Sequence, residues 1–445
     1  MIETYELELA RLAMKLASEE GALKSRVCLS KSVSDIISTL DGEIDKVSHC
    51  LDRGLSLTLF VDGRFDTFST NQLDEASLRA FVRSAVAMTR ILAEDTLRDL
   101  PDPARCCKSA VNGDELGLYD PEYSKVTADE RRNLALKAAV TGKIPETPEY
   151  RLISEEGEYS DSEFDAVTLD SNGLFCRHKE TAFEYGVEVT VEATDGAKYS
   201  GFWWESSPSR SGLKLDKVGT TAVCRAAAQI GTRPFAGGKY KMVVESNVAS
   251  KLVTPVLNAL GGYSLQQGNS FMNGSLGKKM FSEGLTILDD AHIKGQSGSR
   301  LFDSEGVATS PGPVIEGGVV KEYFINTYIS KKMGLQPTVE DCSRAHLMPF
   351  GEAKDMDSIL RKCGEGILVS GFNGGNCNSA TGDFSYGIEG FRFEKGVITG
   401  PVSGMLITGN FLELWKNLIA AGEDARPCAA KLIPTIAFDN VNFNG

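Results

Sequence analysis

Most of the 45 glycines of this 445-residue chain fall in residues 233–445, and that bias constrains the fold more than any other feature. Glycine costs a helix interior about 1 kcal/mol relative to alanine. It is favoured where the backbone turns tightly or where another backbone comes close. The region therefore reads as short strands between turns such as Glu316-Gly317-Gly318. One helix is expected near its end. Asn410 would cap it, Glu413 would complete a capping box, Leu414, Trp415, Leu418 and Ile419 would form its apolar side, and Gly422 would stop it.

The first half has different periodicities. Leu9, Leu12, Ala13, Leu16 and Ala17 fall on one helical face, with Gly21 as a stop. Leu55, Leu57, Leu59 and Val61 alternate with polar residues, and Asp62-Gly63 supplies a hairpin turn. A second helix begins at Asp74 and buries Leu78, Phe81, Val82, Ala85 and Val86. Pro101-Asp102-Pro103 reads as a linker. Helices are expected over 127–141 and 216–230, and a β meander over 149–207 with turns at Asn172-Gly173 and Asp195-Gly196. The fold class is α+β in three units. These are an N-terminal helix-strand-helix domain (1–100), a middle domain of a helix plus a β meander (101–232), and a glycine-rich, mainly antiparallel β domain (233–445).

Composition excludes several classes. Apolar residues make up 42% and charged residues 24%, which rules out disorder for most of the chain. No run of about 18 apolar residues is available for a membrane helix. The opening MIETYELELARLAMKLASEE lacks the basic start and apolar core of a secretion signal, so the cytoplasm is the expected compartment. The formal charge is −14 with no Lys/Arg-rich run, which argues against direct nucleic-acid binding. The ten cysteines form no CxxC pair and are expected to be reduced.

Standard catalytic motifs are absent or incomplete. Gly274-Ser275-Leu276-Gly277-Lys278-Lys279 lacks the first glycine and the final hydroxyl of a phosphate loop, so it reads as a turn. Gly295-Gln296-Ser297-Gly298-Ser299 misses the hydrolase elbow by one residue and reads as a loop. None of the four histidines, His49, His178, His292 and His346, is followed by glutamate. Cys342 and His346 would share a helix face, but two ligands do not close a zinc site. Asp289, Asp290, Asp303 and Glu305 either bind a cation or perform acid/base work, or else cap turns and pair with Arg300. Of Trp203 and Trp204, adjacent in a strand, one would face the core and the other an interface.

Four long segments carry a resemblance. They are SFMNGSLGKKMFS (270–282), LTILDDAHIKGQSGSRLFDSEGVATS (285–310), GFNGGNCNSATGDFSYGIEGFRFEKG (371–396) and ITGNFLELWKNLIAAGED (407–424). Their sequence and order resemble the TldD/PmbA family, which is also labelled as modulators of DNA gyrase. The resemblance covers essentially the whole chain and is strongest after about residue 233. It implies a two-subunit zinc peptidase. The TldD-type subunit carries HExxxH on a helix after a strand, plus a cysteine near its C-terminus. The PmbA/TldE-type subunit has the same fold without the histidines.

Carried onto this chain, the family pattern makes Lys241-Met242-Val243-Val244-Glu245 the strand and residues 247–260 the helix. Thr254 and Ala259 then stand at the histidine positions, Pro255 at the glutamate position and Cys428 at the cysteine position. Neither alanine nor proline offers a ligand or a base, and threonine is a poor zinc ligand. Pro255 would also kink or break the helix.

The resemblance thus implies a PmbA/TldE-type subunit with no catalytic residues and no metal of its own. Zinc is expected in a TldD-type partner, and Cys428 is read as a remnant or packing residue. The expected work is to form the dimer and shape a peptide channel. Glycine-rich edges in 371–391 would receive an extended peptide by strand addition, or those glycines serve turns alone. The candidate peptide contacts are Arg300, Asp303, Gly374, Gly375, Asp383 and Ser385. Two other readings stand beside this one. One is a stand-alone homodimer that binds peptides without hydrolysis. The other is an independent enzyme built on Asp289, Asp290, Asp303, Glu305 or Asp383.

Overall fold

The computed structural model describes every residue except 141–142 and 144–146. Helix α1 (Thr4–Glu19) leads into β1 (Lys24–Leu40), β2 (Glu43–Val61) and β3 (Arg64–Thr70). Then come α2 (Glu75–Thr89), α3 (Ala128–Ala138), β4 (Tyr150–Asp170), β5 (Phe175–Ala193), β6 (Lys198–Ser207) and α4 (Val218–Ala227). The six strands form one sheet in the order β3-β2-β1-β4-β5-β6. Asp62 and Gly63 both take positive φ, 48° and 73°, which matches the twist of the hairpin they join. Asp74 accepts a hydrogen bond from the Ser77 N–H and so caps α2. Thr127 and Glu130 form a reciprocal capping box on α3. The last position of the helix expected over 127–141 lies outside the described residues.

The boundary expected near residue 100 does not separate one sheet from another. β1 pairs with β4 from Arg26 opposite Asp170 to Leu40 opposite Glu156. A long open strand edge invites aggregation, and this pairing covers it within the chain. Helices α1 and α2 bury Leu55, Leu57, Leu59 and Val61 at one end of the sheet. Helices α3 and α4 bury Tyr185, Val187, Val189 and Val191 at the other.

One buried row is polar. Asp161, Glu163 and Asp165 alternate along β4 and are at most 8% exposed. Arg131 binds Asp161 through Nε at 2.8 Å and Nη2 at 2.9 Å. The amino group of Met1 and the Tyr119 hydroxyl each lie 3.1 Å from Glu163. Arg177 Nη2 lies 2.6 Å from Asp165. Each buried carboxylate thus has a charged partner, which the cost of desolvation demands.

The second half begins with β7 (Arg233–Pro234), β8 (Gly238–Val244), α5 (Ser250–Ala259) and α6 (Gly262–Gln266). A small sheet of β9 (Ile287–Asp289), β10 (Gly312–Glu316), β11 (Val319–Val320) and β12 (Ala345–Leu347) follows, with α7 (Thr327–Met333) between β11 and β12. The chain ends with α8 (Met356–Cys363), β13 (Gly366–Cys377), β14 (Asp383–Glu394), β15 (Val397–Asn410), α9 (Phe411–Lys416), β16 (Leu418–Ala421) and β17 (Ile436–Asn444). β17 pairs with β8 along one edge and with β15 along the other, so β8, β13, β14, β15 and β17 close into a ring. Met242, Val244, Ile367 and Val369 face the main core. Val243 and Leu368 point the opposite way and pack with Ile359 and Leu360 of α8. The expected α+β class with a mainly antiparallel C-terminal region is what the structure has.

Four local expectations are corrected. The helix expected up to Gly422 ends at Lys416, and Leu418–Ala421 is a strand on β17. Pairing satisfies the backbone of Leu418, Ala420 and Ala421 there, and tertiary context overrides local helical spacing. Asn410 does cap α9, accepting from the Leu412 N–H, but Glu413 pairs with Lys416 at 2.8 Å. His346 lies in β12 and not on a helix with Cys342; its Nδ1 is 2.6 Å from Asp290. Finally, of the kink or break expected at Pro255, the break is absent, since α5 runs from Ser250 through Pro255 to Ala259.

Candidate functional site: a cleft beside the degenerate helix

β8 ends in the apolar run Met242-Val243-Val244 and is followed directly by Glu245. The chain then turns into α5, which buries Leu252, Val253, Val256, Leu257 and Ala259 against the core. Lys251, Thr254 and Pro255 lie at i, i+3 and i+4, and these positions share one helix face. That face lines a cavity of about 550 Å³. Phe372, Asn376, Cys377 and Tyr386 form the opposite wall. The ammonium of Lys251 sits 5.1 Å from the centre of the Tyr386 ring. Burial, and then the neighbouring Cys377, push the Tyr386 hydroxyl above its ordinary range.

β13 overhangs its neighbour at this cavity. It pairs with β8 only through Ile367, Leu368 and Val369. From Gly371 to Cys377 it stays paired to β14 on one side, and no strand among the described residues takes its other edge. Residues 373–377 are exposed. The edge is not a plain ladder, because register shifts between Phe372 and Gly375. Gly375 has φ +93°, and a Cβ there would stand 2.0 Å from the Ser385 carbonyl oxygen, whereas a Cβ on Gly374 would meet open space. Gly375 is therefore required by the bulge itself.

A second cavity of about 730 Å³ adjoins the first, with Val248 and Phe372 lining both. It lies between α4 and the ring. Arg225 of α4 reaches Glu245 with Nη1 at 2.9 Å and donates through Nη2 to the Ser370 carbonyl at 2.8 Å. Its guanidinium also lies 5.3 Å from the Trp203 ring. Burial raises the Glu245 carboxyl above its ordinary range, and Arg225 partly offsets this. A larger hollow of about 890 Å³ is walled by Asp45, Glu156, Glu158, Glu184, Glu188 and Glu205 and touches no residue of α5. Sequence reasoning missed Arg225, Glu245 and Lys251 as cleft residues. The one available signal was Glu245, an acid directly after the apolar run Met242-Val243-Val244.

The expected site residues divide into groups. Thr254 and Pro255 face the cleft, as does Gly375. Ala259 does not: it is 3% exposed, lies in the core, and its carbonyl accepts from the Ser270 hydroxyl. Cys428 lines neither cavity; its carbonyl accepts from the Ser206 hydroxyl at 2.8 Å, and burial raises its thiol. Arg300 pairs with Asp341 and Ser343, not with the acids of 289–305. Asp289 accepts from the N–H groups of Ser343 and Arg344. Asp303 accepts three backbone N–H bonds, from Glu305, Val307 and Glu340, and burial pushes its carboxyl up to about 6. Asp383 is held by Thr381 and Asn410, which lower its carboxyl. Ser385 sits in β14 opposite Asn376 and Thr408. Arg300, Asp303, Asp383 and Ser385 thus lie outside both cavities. Trp203 and Trp204 are both half-buried, and Arg426 lies 4.2 Å and 4.7 Å from their ring centres.

The donor set facing the cleft does not fit zinc. Thr254, Pro255 and Lys251 offer no imidazole or carboxylate, and Cys377 is a single thiol. Among the described residues, no group of three or more His, Cys, Asp or Glu side chains is arranged to hold a metal ion.

Known proteins share this architecture. Residues 237–445 match the PmbA/TldA metallopeptidase C-terminal domain, and residues 26–89 match PmbA/TldA metallopeptidase domain 1. Metalloprotease PmbA of Escherichia coli O157:H7 is 26% identical over 436 residues, covering 96% of this chain and 94% of that protein. A Bacteroides thetaiotaomicron VPI-5482 crystal structure, named as a candidate modulator of DNA gyrase, is 37% identical, with a TM-score of 0.94 and 100% of both chains covered. TldE from Thermococcus kodakarensis, at 18% identity, shares the fold with a TM-score of 0.82 over 98% of this chain and 100% of that one. This chain belongs to the PmbA/TldD metallopeptidase family.

Proposed function

We propose that this chain is the non-catalytic, PmbA/TldE-type subunit of a two-subunit zinc metallopeptidase. Its cleft holds an extended peptide while a TldD-type partner supplies the zinc and cuts. The observation that carries this reading is the α5 face. At the place where the family's catalytic subunit has its metal-binding helix, this chain turns Lys251, Thr254 and Pro255 toward the cavity. None of these can ligate zinc and activate water. The free edge of β13 beside that face offers backbone N–H and C=O groups to a peptide, and such pairing tolerates many sequences. The complex would work in the cytoplasm; no described helix is long and apolar enough to cross a membrane.

The test mixes the purified chain with a TldD-type subunit that carries HExxxH. The expected result is a complex that cleaves unstructured peptides, loses activity to a chelator and regains it with zinc, while this chain alone neither cleaves nor holds stoichiometric zinc. Chelator-sensitive cleavage by the chain alone would overturn the proposal.

A further inference from the structure

We infer that the 730 Å³ cavity between α4 and the ring is a side-chain pocket for a tyrosine or tryptophan of the peptide that lies along β13. The inference rests on the strand-edge reading above and names what that edge selects.

Three features carry it. The first is continuity. Val248 and Phe372 line both cavities, so a strand along residues 371–377 passes the mouth of the pocket. Alternate residues of an added strand point to the same side, so one residue in two is directed there. The second is the wall. Phe202, Leu368, Phe391 and Ile398 line the pocket and suit a large apolar ring. The third is the polar group within it. Arg225 is held in place, with one nitrogen on Glu245, one on the Ser370 carbonyl and its guanidinium 5.3 Å from the Trp203 ring. Glu245 uses Oε2 for that pair, and its Oε1 has no hydrogen-bond partner among the described residues.

The pocket therefore presents an apolar wall, the Arg225–Glu245 ion pair with an open acceptor on Glu245, and Glu389. An acidic side chain would bring a second buried carboxylate beside Glu245 and is disfavoured. A phenol O–H or an indole N–H satisfies the acceptor without adding charge, and its ring fills the apolar space.

The test measures fluorescence anisotropy of the full chain with labelled, end-capped octapeptides of extended, Thr/Val-rich sequence. Each peptide carries Tyr, Phe, Ser or Asp at one position, scanned in turn. The expected result is one position at which Tyr binds on the order of tenfold tighter than Ser, with Phe between them and Asp weakest. Thr221, Cys224 and Arg225 of α4, and Ala228 just past its end, line the pocket. Cys224→Trp and, separately, Ala228→Trp fill it from that side and are expected to bring the Tyr-to-Ser ratio to about one. Equal binding of Tyr and Ser peptides at every position would overturn the pocket and leave the strand edge standing. Retention of the full ratio in both folded variants would do the same. No binding of any peptide would overturn the strand-edge reading and the pocket with it.

Discussion

The Arg225 guanidinium stands 2.9 Å from the Glu245 carboxylate, and this contact ties α4 to the residue that follows β8. Both side chains are mostly buried, at 24% and 15% exposure. Removing the cation leaves a carboxylate with nothing to repay its desolvation. Arg225→Ala is expected to cost about 2 kcal/mol at pH 7.5, below the full range for a deeply buried pair. Its pH dependence has a definite sign. A carboxyl held above its ordinary range takes up protons more readily folded than unfolded, so stability falls as pH rises from the ordinary carboxylate range through the folded value. The variant's deficit should therefore shrink toward pH 5 and grow toward pH 8. Adding Glu245→Gln should flatten that profile, as read by denaturation midpoints across pH.

Asp303 offers a cleaner titration. Its carboxyl is pushed up to about 6 by burial while it accepts three backbone N–H bonds. Wild-type stability should fall as pH rises from about 4 through 6. Asp303→Asn cannot titrate, so its midpoint should vary less over that window. It also sets an amide N–H₂ or a lost acceptor against one of those N–H groups, at a cost of about 1–2 kcal/mol.

Gly374 and Gly375 should respond very differently to alanine. At Gly375 the added Cβ meets the Ser385 carbonyl at 2.0 Å, while at Gly374 it meets nothing. Both have positive φ, so each variant carries some backbone strain. Gly374→Ala is expected to cost about 1 kcal/mol and Gly375→Ala several times that, as measured by thermal midpoints. Equal losses would remove the bulge argument.

The Arg131–Asp161 pair tests the polar row in the first sheet. Asp161 is fully buried and Arg131 is 12% exposed. Arg131→Met leaves that carboxylate without its cation and should cost about 3–5 kcal/mol. The double variant with Asp161→Leu should recover much of the loss. A double variant as unstable as the single one would mean that the pair acts through shape, not charge.

Much of the first half was legible from local patterns. The alternation of Leu55, Leu57, Leu59 and Val61 and the turn at Asp62-Gly63 reappear in β2 and β3 because strand periodicity and turn chemistry act over a few residues. The same reasoning failed at Leu418 and Ile419, whose helical spacing yields to pairing with β17. It also joined Cys342 and His346 on a helix that does not exist, because β12 pairs with the distant strand β9.

The sequence by itself determined the family, the α+β class and the principal turns, since these depend on residue identity and near neighbours. Only the tertiary structure decided where the cleft is and what faces it. It buried Ala259, set Cys428 beside Ser206, and brought Arg225 to Glu245 from another sheet's helix. Closure of the ring and the overhang of β13 fixed those placements. They arise from pairings between distant segments, and no local pattern encodes which distant edge a strand will meet.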